Sequence, residues 1–350
     1  MDRARLAVGL ALAAAGCAGH DAGSSALESA HSVPDSSTRA PATANECGLN
    51  TGWAGDEYCI PPPPPEQGFQ LHIGPSDYDN PEPEYVLAPG AEVTTDFPTV
   101  SGNDQPVYFY YRQYRMRPGT HHNIVSTANT QTLDFGRRLA ITNHLVEDNP
   151  RGGAIAPENG GVGIALAPAT PLLVNLHSIN TTEQPALREI WINFWYRDPA
   201  DVTEPVEEMA HAGDTTFAIE PHADTMLGPF RCAVTGTGRM LWVYGHRHAN
   251  NVRFSAWRLR GDTRLLFYEA FDWSDPLLLE FSSTVQNPAP DRARGIEGGH
   301  SGVLDLLPGD SLEWECHVIN RTDGYLRFTN ENFTGEMCIL DAELVGANCF

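Results

Sequence analysis

Between residues 107 and 268 the chain is written in short runs of aromatic and β-branched residues, cut at close intervals by turn residues. Nothing else in the sequence constrains the fold as much. Val107 to Tyr111, Pro171 to His177, Ile190 to Trp195, Arg239 to Tyr244, Arg253 to Leu259 and Arg264 to Tyr268 all read as strands. Helical periodicity is nearly absent; Val202 to His211 offers one short helical turn at most. Many short strands in a chain with 32 Gly and 27 Pro predict an all-β protein of sandwiches or barrels. A length of 350 residues suggests two domains. The polar stretch Asp198 to Glu208 puts the boundary near residue 205 and leaves β domains of roughly 140 residues each.

Charge removes several functions. The 22 cations are all Arg, against 45 Asp and Glu, for a net charge of −23. Such a chain has no basic field to hold phosphate backbones, so no nucleic-acid partner is expected. With no Lys, Schiff-base and P-loop lysine chemistry is excluded.

The N-terminus predicts export. Arg3 and Arg5 precede an apolar run from Leu6 to Gly16, too short to span a bilayer, so residues 1–16 read as a signal peptide. Ala14-Ala15-Gly16-Cys17 resembles the bacterial lipobox, which makes Cys17 the lipidated first residue of the mature chain. Ala18 after it favours the outer membrane, by resemblance to Gram-negative lipoproteins. An outer-membrane or periplasmic lipoprotein is expected, touching membrane through its lipid anchor only. Residues 17–66 form a flexible Pro-rich tether with a polyproline II spacer at Pro61 to Pro65. Cys47 and Cys59 in this segment are the obvious local disulfide pair. The six cysteines after Cys17 allow 15 pairings.

Three histidine groups stand out: His121-His122, His177 at a strand end, and His246-Arg247-His248 after an apolar strand. An HxH pair on a strand projects both imidazoles from one face. Two neutral imidazoles on one face chelate Cu, Zn or Ni. Adjacent histidines point to opposite faces unless the strand bends, and Pro118-Gly119 upstream allows a bend. Surface or capping roles compete with this reading. They are kept for His72, His144, His211, His222, His300 and His317.

Arg117-Pro118-Gly119-Thr120-His121-His122, a strand ending in His177, His246-x-His248, and Glu336-Met337-Cys338 follow in this order. Together they resemble the copper type II ascorbate-dependent monooxygenases, the family of peptidylglycine α-hydroxylating monooxygenase and dopamine β-hydroxylase. The resemblance covers about residues 68 to 350. It implies two antiparallel jelly-roll domains, 67–204 and 205–350, with two coppers per chain. His121, His122 and His177 would hold the electron-transfer copper; His246, His248 and Met337 would hold the oxygen-activating one. The implied reaction hydroxylates a C–H bond of a small-molecule or peptide substrate with molecular oxygen and ascorbate or another one-electron reductant. Two further disulfides are implied, Cys232–Cys349 and Cys316–Cys338.

The match fails where the peptide hydroxylase binds its substrate's carboxylate. Tyr244, Ile339 and Asp341 stand at the positions of its Arg, Asn and Tyr, and Asp341 would repel an anion. The substrate pocket expected from these considerations comprises Tyr244, Asn175, Ile339 and Asp341. Two other readings compete: a non-catalytic copper-binding or copper-buffering surface lipoprotein, and an adhesion or carbohydrate-binding sandwich with incidental histidines.

Overall fold

A computed structural model describes residues 45–128, 135–206 and 209–349. The signal peptide, Cys17 and the tether up to residue 44 lie outside the described residues. The chain is all-β, with only short 3-10 turns between strands among the described residues. Each of the six runs singled out in the sequence lies within a strand.

The first half contributes a two-stranded sheet, Val86–Leu87 with Ala186–Leu187, and two large ones. One runs Gly68–Ile73, Ile190–Arg197, Val107–Met116, Val162–Leu166, Glu204–Val206, with Val146–Asn149 also paired to Val107–Met116. The other runs Glu92–Val100, Pro171–Ile179, Thr120–Ala128, Phe135–Thr142. Its inner strand, Pro171–Ile179, is buried from Leu172 to Ser178. Both of its faces are covered, which is why it reads as a near-continuous apolar run.

The second half is organised by one 24-residue strand, Asp224–Arg247. Its first part, Asp224 to Ala233, pairs with Ser311–Ile319, and from Val234 onward it pairs with Cys338–Cys349. Bulges between Leu227 and Phe230 and between Gly236 and Arg239 let one strand serve two partners, because a bulge bends the strand and raises its twist. Asn251–Arg260 and Thr263–Ala270 extend the sheet from Ser311–Ile319.

Among the described residues between Val202 and His211 no helical turn forms. A 3-10 turn at Pro199–Asp201 comes first, then Glu204–Val206 runs parallel to Val162–Leu166, and Met209–Ala212 pairs with Cys338–Cys349. Ladder pairing on both sides overrides the weak local preference. The sheets thus change over between residues 206 and 209, yet one hydrophobic cluster includes Phe109, Tyr114 and Phe194 as well as Trp242, Phe254 and Leu340. Three disulfides are present, Cys47–Cys59, Cys232–Cys349 and Cys316–Cys338, as befits an exported chain. No described helix is long and apolar enough to cross a membrane.

Candidate metal centre and cavity

His121 and His122 begin the Thr120–Ala128 strand, just past Gly119, which takes φ +92. Thr120 pairs with Ser178 but His122 with His177, so one extra residue is inserted at His121. A bulge of this kind brings two adjacent side chains toward one partner. The His177 ring lies 5.3 Å from His121 and 4.9 Å from His122, centroid to centroid.

His246 stands at the end of the Asp224–Arg247 strand and His248 just past it, with rings 5.6 Å apart. Arg247 between them is fully buried and donates to the carbonyls of Gly245 and Asp272. Gly245 is required there: a Cβ would stand 2.4 Å from the Phe254 ring. The two histidine groups adjoin, since the His122 and His246 rings are 5.1 Å apart. Trp273 covers His121 at 5.5 Å and meets Phe333 edge-on.

Two carboxylates hold this cluster in place; sequence reading missed Glu92 and quoted Glu336 without assigning it a role. Glu92 Oε1 lies 3.0 Å from His177 Nε2 and accepts from the backbone N and Nδ2 of Asn332 at 2.8 and 2.9 Å. It therefore joins a first-half histidine to the loop that leads to Met337. Glu336 Oε1 accepts from the backbone N–H groups of His248 and Met337, both at 2.9 Å. Glu336 stands beside Met337 in sequence, a usable signal; Glu92 lies 240 residues from Asn332 and gave none.

Burial dominates the electrostatics. It pushes His121 and His122 well below the ordinary imidazole value, and their proximity to His177 adds to the effect. His248 is pushed down to about 3, again by burial first and His177 second. Burial drives Glu336 up to about 8 against the pull of its two backbone donors. Burial also works to raise Glu92, but the hydrogen bonds from His177 and Asn332 prevail and hold it below its usual value.

A cavity of about 290 Å³ opens beside the cluster, lined by His122, His246, His248 and Met337 at one end. Of the expected pocket residues, Asn175, Ile339 and Asp341 line it. Tyr244 does not; it is buried and stacks on Trp242. Ile339 and Asp341 share one face of their strand, and Tyr244, the cross-strand neighbour of Asp341, stands on that same face one pair beyond His246, which is opposite Ile339. The expectation that Asp341 repels an anion is also corrected. Arg138, which sequence reading missed, donates Nη1 to Asp341 Oδ1 at 3.1 Å and neutralises it.

The rings adjoin without converging. Among the described residues, no group of three His, Cys, Asp or Glu side chains stands in metal-holding geometry. The donor set nevertheless fits a transition metal. His121 Nε2 and His122 Nδ1 are buried with no hydrogen-bond partner. His177 Nδ1 is 3.1 Å from His122 Nε2, close to the roughly 3.3 Å that separates two nitrogens on one tetrahedral ion. The other histidines are partnered differently: His72 by Glu189, His144 by Glu147, His222 by Asp323, His317 by Asp224 and His300 by the Val303 carbonyl. Nothing is described of the His211 side chain.

No family model matches the chain, and no curated protein matches it. Solved structures similar to it include PNGase F, a glycosylasparaginase from Flavobacterium meningosepticum. Its TM-score is 0.28 at 11% identity, over 80% of this chain and 99% of that one. A recombinant N-glycanase F gives 0.25 at 12% identity, over 79% and 95%. At these scores the likeness carries no argument about function.

The family expectation is corrected by these findings. No family model and no curated protein supports the copper type II ascorbate-dependent monooxygenases. The monooxygenase activity and the copper-buffering alternative are therefore set aside. The physical reason is that His-His, His-x-His and Glu-Met-Cys are two- and three-residue words. Strand ends and bulges can gather such words in any large β protein.

Proposed function

We propose that the protein binds transition-metal ions at a histidine–methionine centre that faces a small-molecule cavity. One observation carries this reading: five imidazoles and a thioether border one place, with buried ring nitrogens of His121 and His122 lacking partners. Neutral imidazole suits copper and zinc, and thioether sulfur selects Cu(I), so copper is the ion proposed, two per chain. His121, His122 and His177 would hold one, with Glu92 orienting His177 as a carboxylate orients a ligating histidine. His246, His248 and Met337 would hold the other, with Glu336 fixing the backbone of both segments. Copper held there would supply redox or Lewis-acid chemistry to the cavity's occupant.

The finer architecture and placement belong to the same proposal. The sheet change between residues 206 and 209 supports two jelly-roll sandwiches, 67–204 and 205–350. The apolar run before Cys17 supports a lipid anchor in the outer membrane.

Metal analysis of the full chain, loaded anaerobically with Cu(I) and desalted, tests the centre. Two coppers per chain are expected, with His121→Ala and His246→Ala each removing a different one. Retention of no copper, or identical loading in both variants and the wild type, overturns the reading.

A further inference from the structure

Trp273 stands where the two halves meet over the histidines. It belongs to the loop between Thr263–Ala270 and Leu279–Glu280, in the second half, yet its indole lies 5.5 Å from the ring of His121, a first-half residue. Both of its chain neighbours are fixed. Glu297 Oε1 accepts from the backbone N–H of Asp272 at 2.6 Å, and Arg247, set between His246 and His248, donates to the Asp272 carbonyl. Asp272 Oδ1 accepts in turn from the backbone N–H and the hydroxyl of Ser274, at 2.9 and 2.8 Å. Phe333 meets the indole edge-on at 5.8 Å and follows Asn332, which donates to Glu92. The contacts that place the histidines thus also place the indole.

Among the described residues, the ring contacts of His121 are with His122, His177 and Trp273, and its Nε2 is buried without a partner. His121 is 7% exposed, while Trp273 over it is half-buried and Phe333 is 38% exposed. These two rings are the layer between that imidazole and solvent. The 55° tilt of indole against imidazole is neither the stacked nor the edge-on arrangement that aromatic pairs favour, so stacking on His121 does not account for the placement. An indole also offers a negative face, which attracts a cation without supplying a charge or a donor. Such a cover does not treat all cations alike. The cost of taking an ion out of water rises with the square of its charge, so a water-excluding aromatic wall penalises a divalent ion more than a monovalent one. Three imidazoles alone make no such choice, since they suit zinc as well as copper.

We infer that Trp273 is a further element of the first metal site: its ring covers the ion held by His121, His122 and His177 and makes that site prefer monovalent Cu(I) to divalent zinc. The second site has the Met337 thioether to select the soft ion; the first has no sulfur, and the indole takes that part. The inference rests on the proposed metal centre and adds to it a residue and a selectivity that its histidines do not supply.

Metal titrations of the full chain carrying His246→Ala, which leaves the His121 site alone to be read, test it. Ag(I) serves as a redox-inert stand-in for Cu(I), and tryptophan emission, bound metal and affinity by chelator competition are measured. The first equivalent of Ag(I) should quench one of the seven Trp. Trp273→Phe should abolish that quench and keep Ag(I) affinity within about threefold, because a smaller aromatic face remains. Trp273→Leu should abolish the quench and lower Ag(I) affinity about tenfold, while Zn(II) affinity holds or rises. A quench that persists in Trp273→Phe overturns the inference, as does an Ag(I)-to-Zn(II) preference that Trp273→Leu leaves unchanged. If Trp273→Leu does not fold, the emission of the parent chain and of Trp273→Phe decides. Bound Ag(I) with unmoved emission in the parent chain overturns this inference and leaves the metal centre standing. Retention of no metal by that chain or by the wild type overturns both.

Discussion

Arg112 and Glu343 give the sharpest test of how the two halves are held together. Arg112 lies on Val107–Met116 and Glu343 on Cys338–Cys349, both without measurable exposure, with Nη2 2.6 Å from Oε2. Arg112 also donates to the Leu139 carbonyl at 3.0 Å, and the Trp242 indole N–H donates to Glu343. Burial works to lower the arginine, but the Glu343 charge outweighs it and drives Arg112 further up. Arg112 Nε has no partner, so the cation is incompletely satisfied. Such a pair adds little net stability, but removing one member leaves the other charge stranded. Arg112→Met should therefore cost about 3–5 kcal/mol. At about 2 °C per kcal/mol for a chain of this size, Tm should fall by about 6–10 °C. Arg112→Met combined with Glu343→Gln removes both charges and keeps an acceptor for Trp242. It should recover all but about 1–2 kcal/mol, so a double-mutant cycle should show strong coupling. Calorimetry with disulfides intact is the assay. One transition is expected, because a single hydrophobic cluster draws on both halves. A single variant that loses under about 1 kcal/mol, or a double variant as unstable as the single, refutes the reasoning.

Three further outcomes follow from named contacts. Glu92→Gln keeps the size but loses the charge that orients His177, so Cu(I) affinity measured by chelator competition should fall about 10–100-fold. Glu280 is pushed up to about 7 by burial, with the Arg151 charge and backbone N–H pulling against it. Its contribution to stability is full below the ordinary carboxylate range and is lost as pH rises through about 7. Glu280→Gln should thus gain about 1–3 kcal/mol at pH 8 and nothing near pH 4, read from the melting difference at the two pH values. Removing Cys316–Cys338 by a double Ser substitution should cost about 3 kcal/mol. Cu(I) affinity should fall more than on removal of Cys47–Cys59, because Cys338 adjoins Met337; equal affinities argue against this placement of Met337.

What the sequence disclosed follows from the range over which each signal acts. Strand runs such as Ile190 to Trp195 declare themselves locally, since side-chain alternation and β-branching need no partner to be read. His246-x-His248 was legible for the same reason. The His121-His122 pair showed that a distortion was needed, and Pro118-Gly119 supplied a plausible bend. The bulge that aligns the pair is set by register against His177, which no local pattern contains. Arg138 and Asp341 lie 203 residues apart, so the sequence displayed an acidic pocket residue and hid its counter-charge. The histidines of the short words that suggested a family adjoin in the fold. The words carried no information on lineage, which depends on the whole chain.

The manner in which this protein satisfies its histidines separates the centre from the rest of the molecule. With 45 acidic residues the chain has ample means to partner an imidazole, and it does so for His72, His144, His222 and His317. At the centre one carboxylate meets an imidazole nitrogen, Glu92 on His177, and the other, Glu336, is spent on backbone N–H groups. His121 Nε2 and His122 Nδ1 stay buried without partners. At about 1–3 kcal/mol each, these represent roughly 2–6 kcal/mol, a large fraction of a domain's net stability. Isosteric apolar residues at the same positions would remove that burden, and the surrounding aromatic shell of Trp273 and Phe333 would pack against them equally well. A cluster arranged for stability would take that course. One that holds neutral imidazoles, bare nitrogens and a thioether against a cavity is arranged for something that enters it.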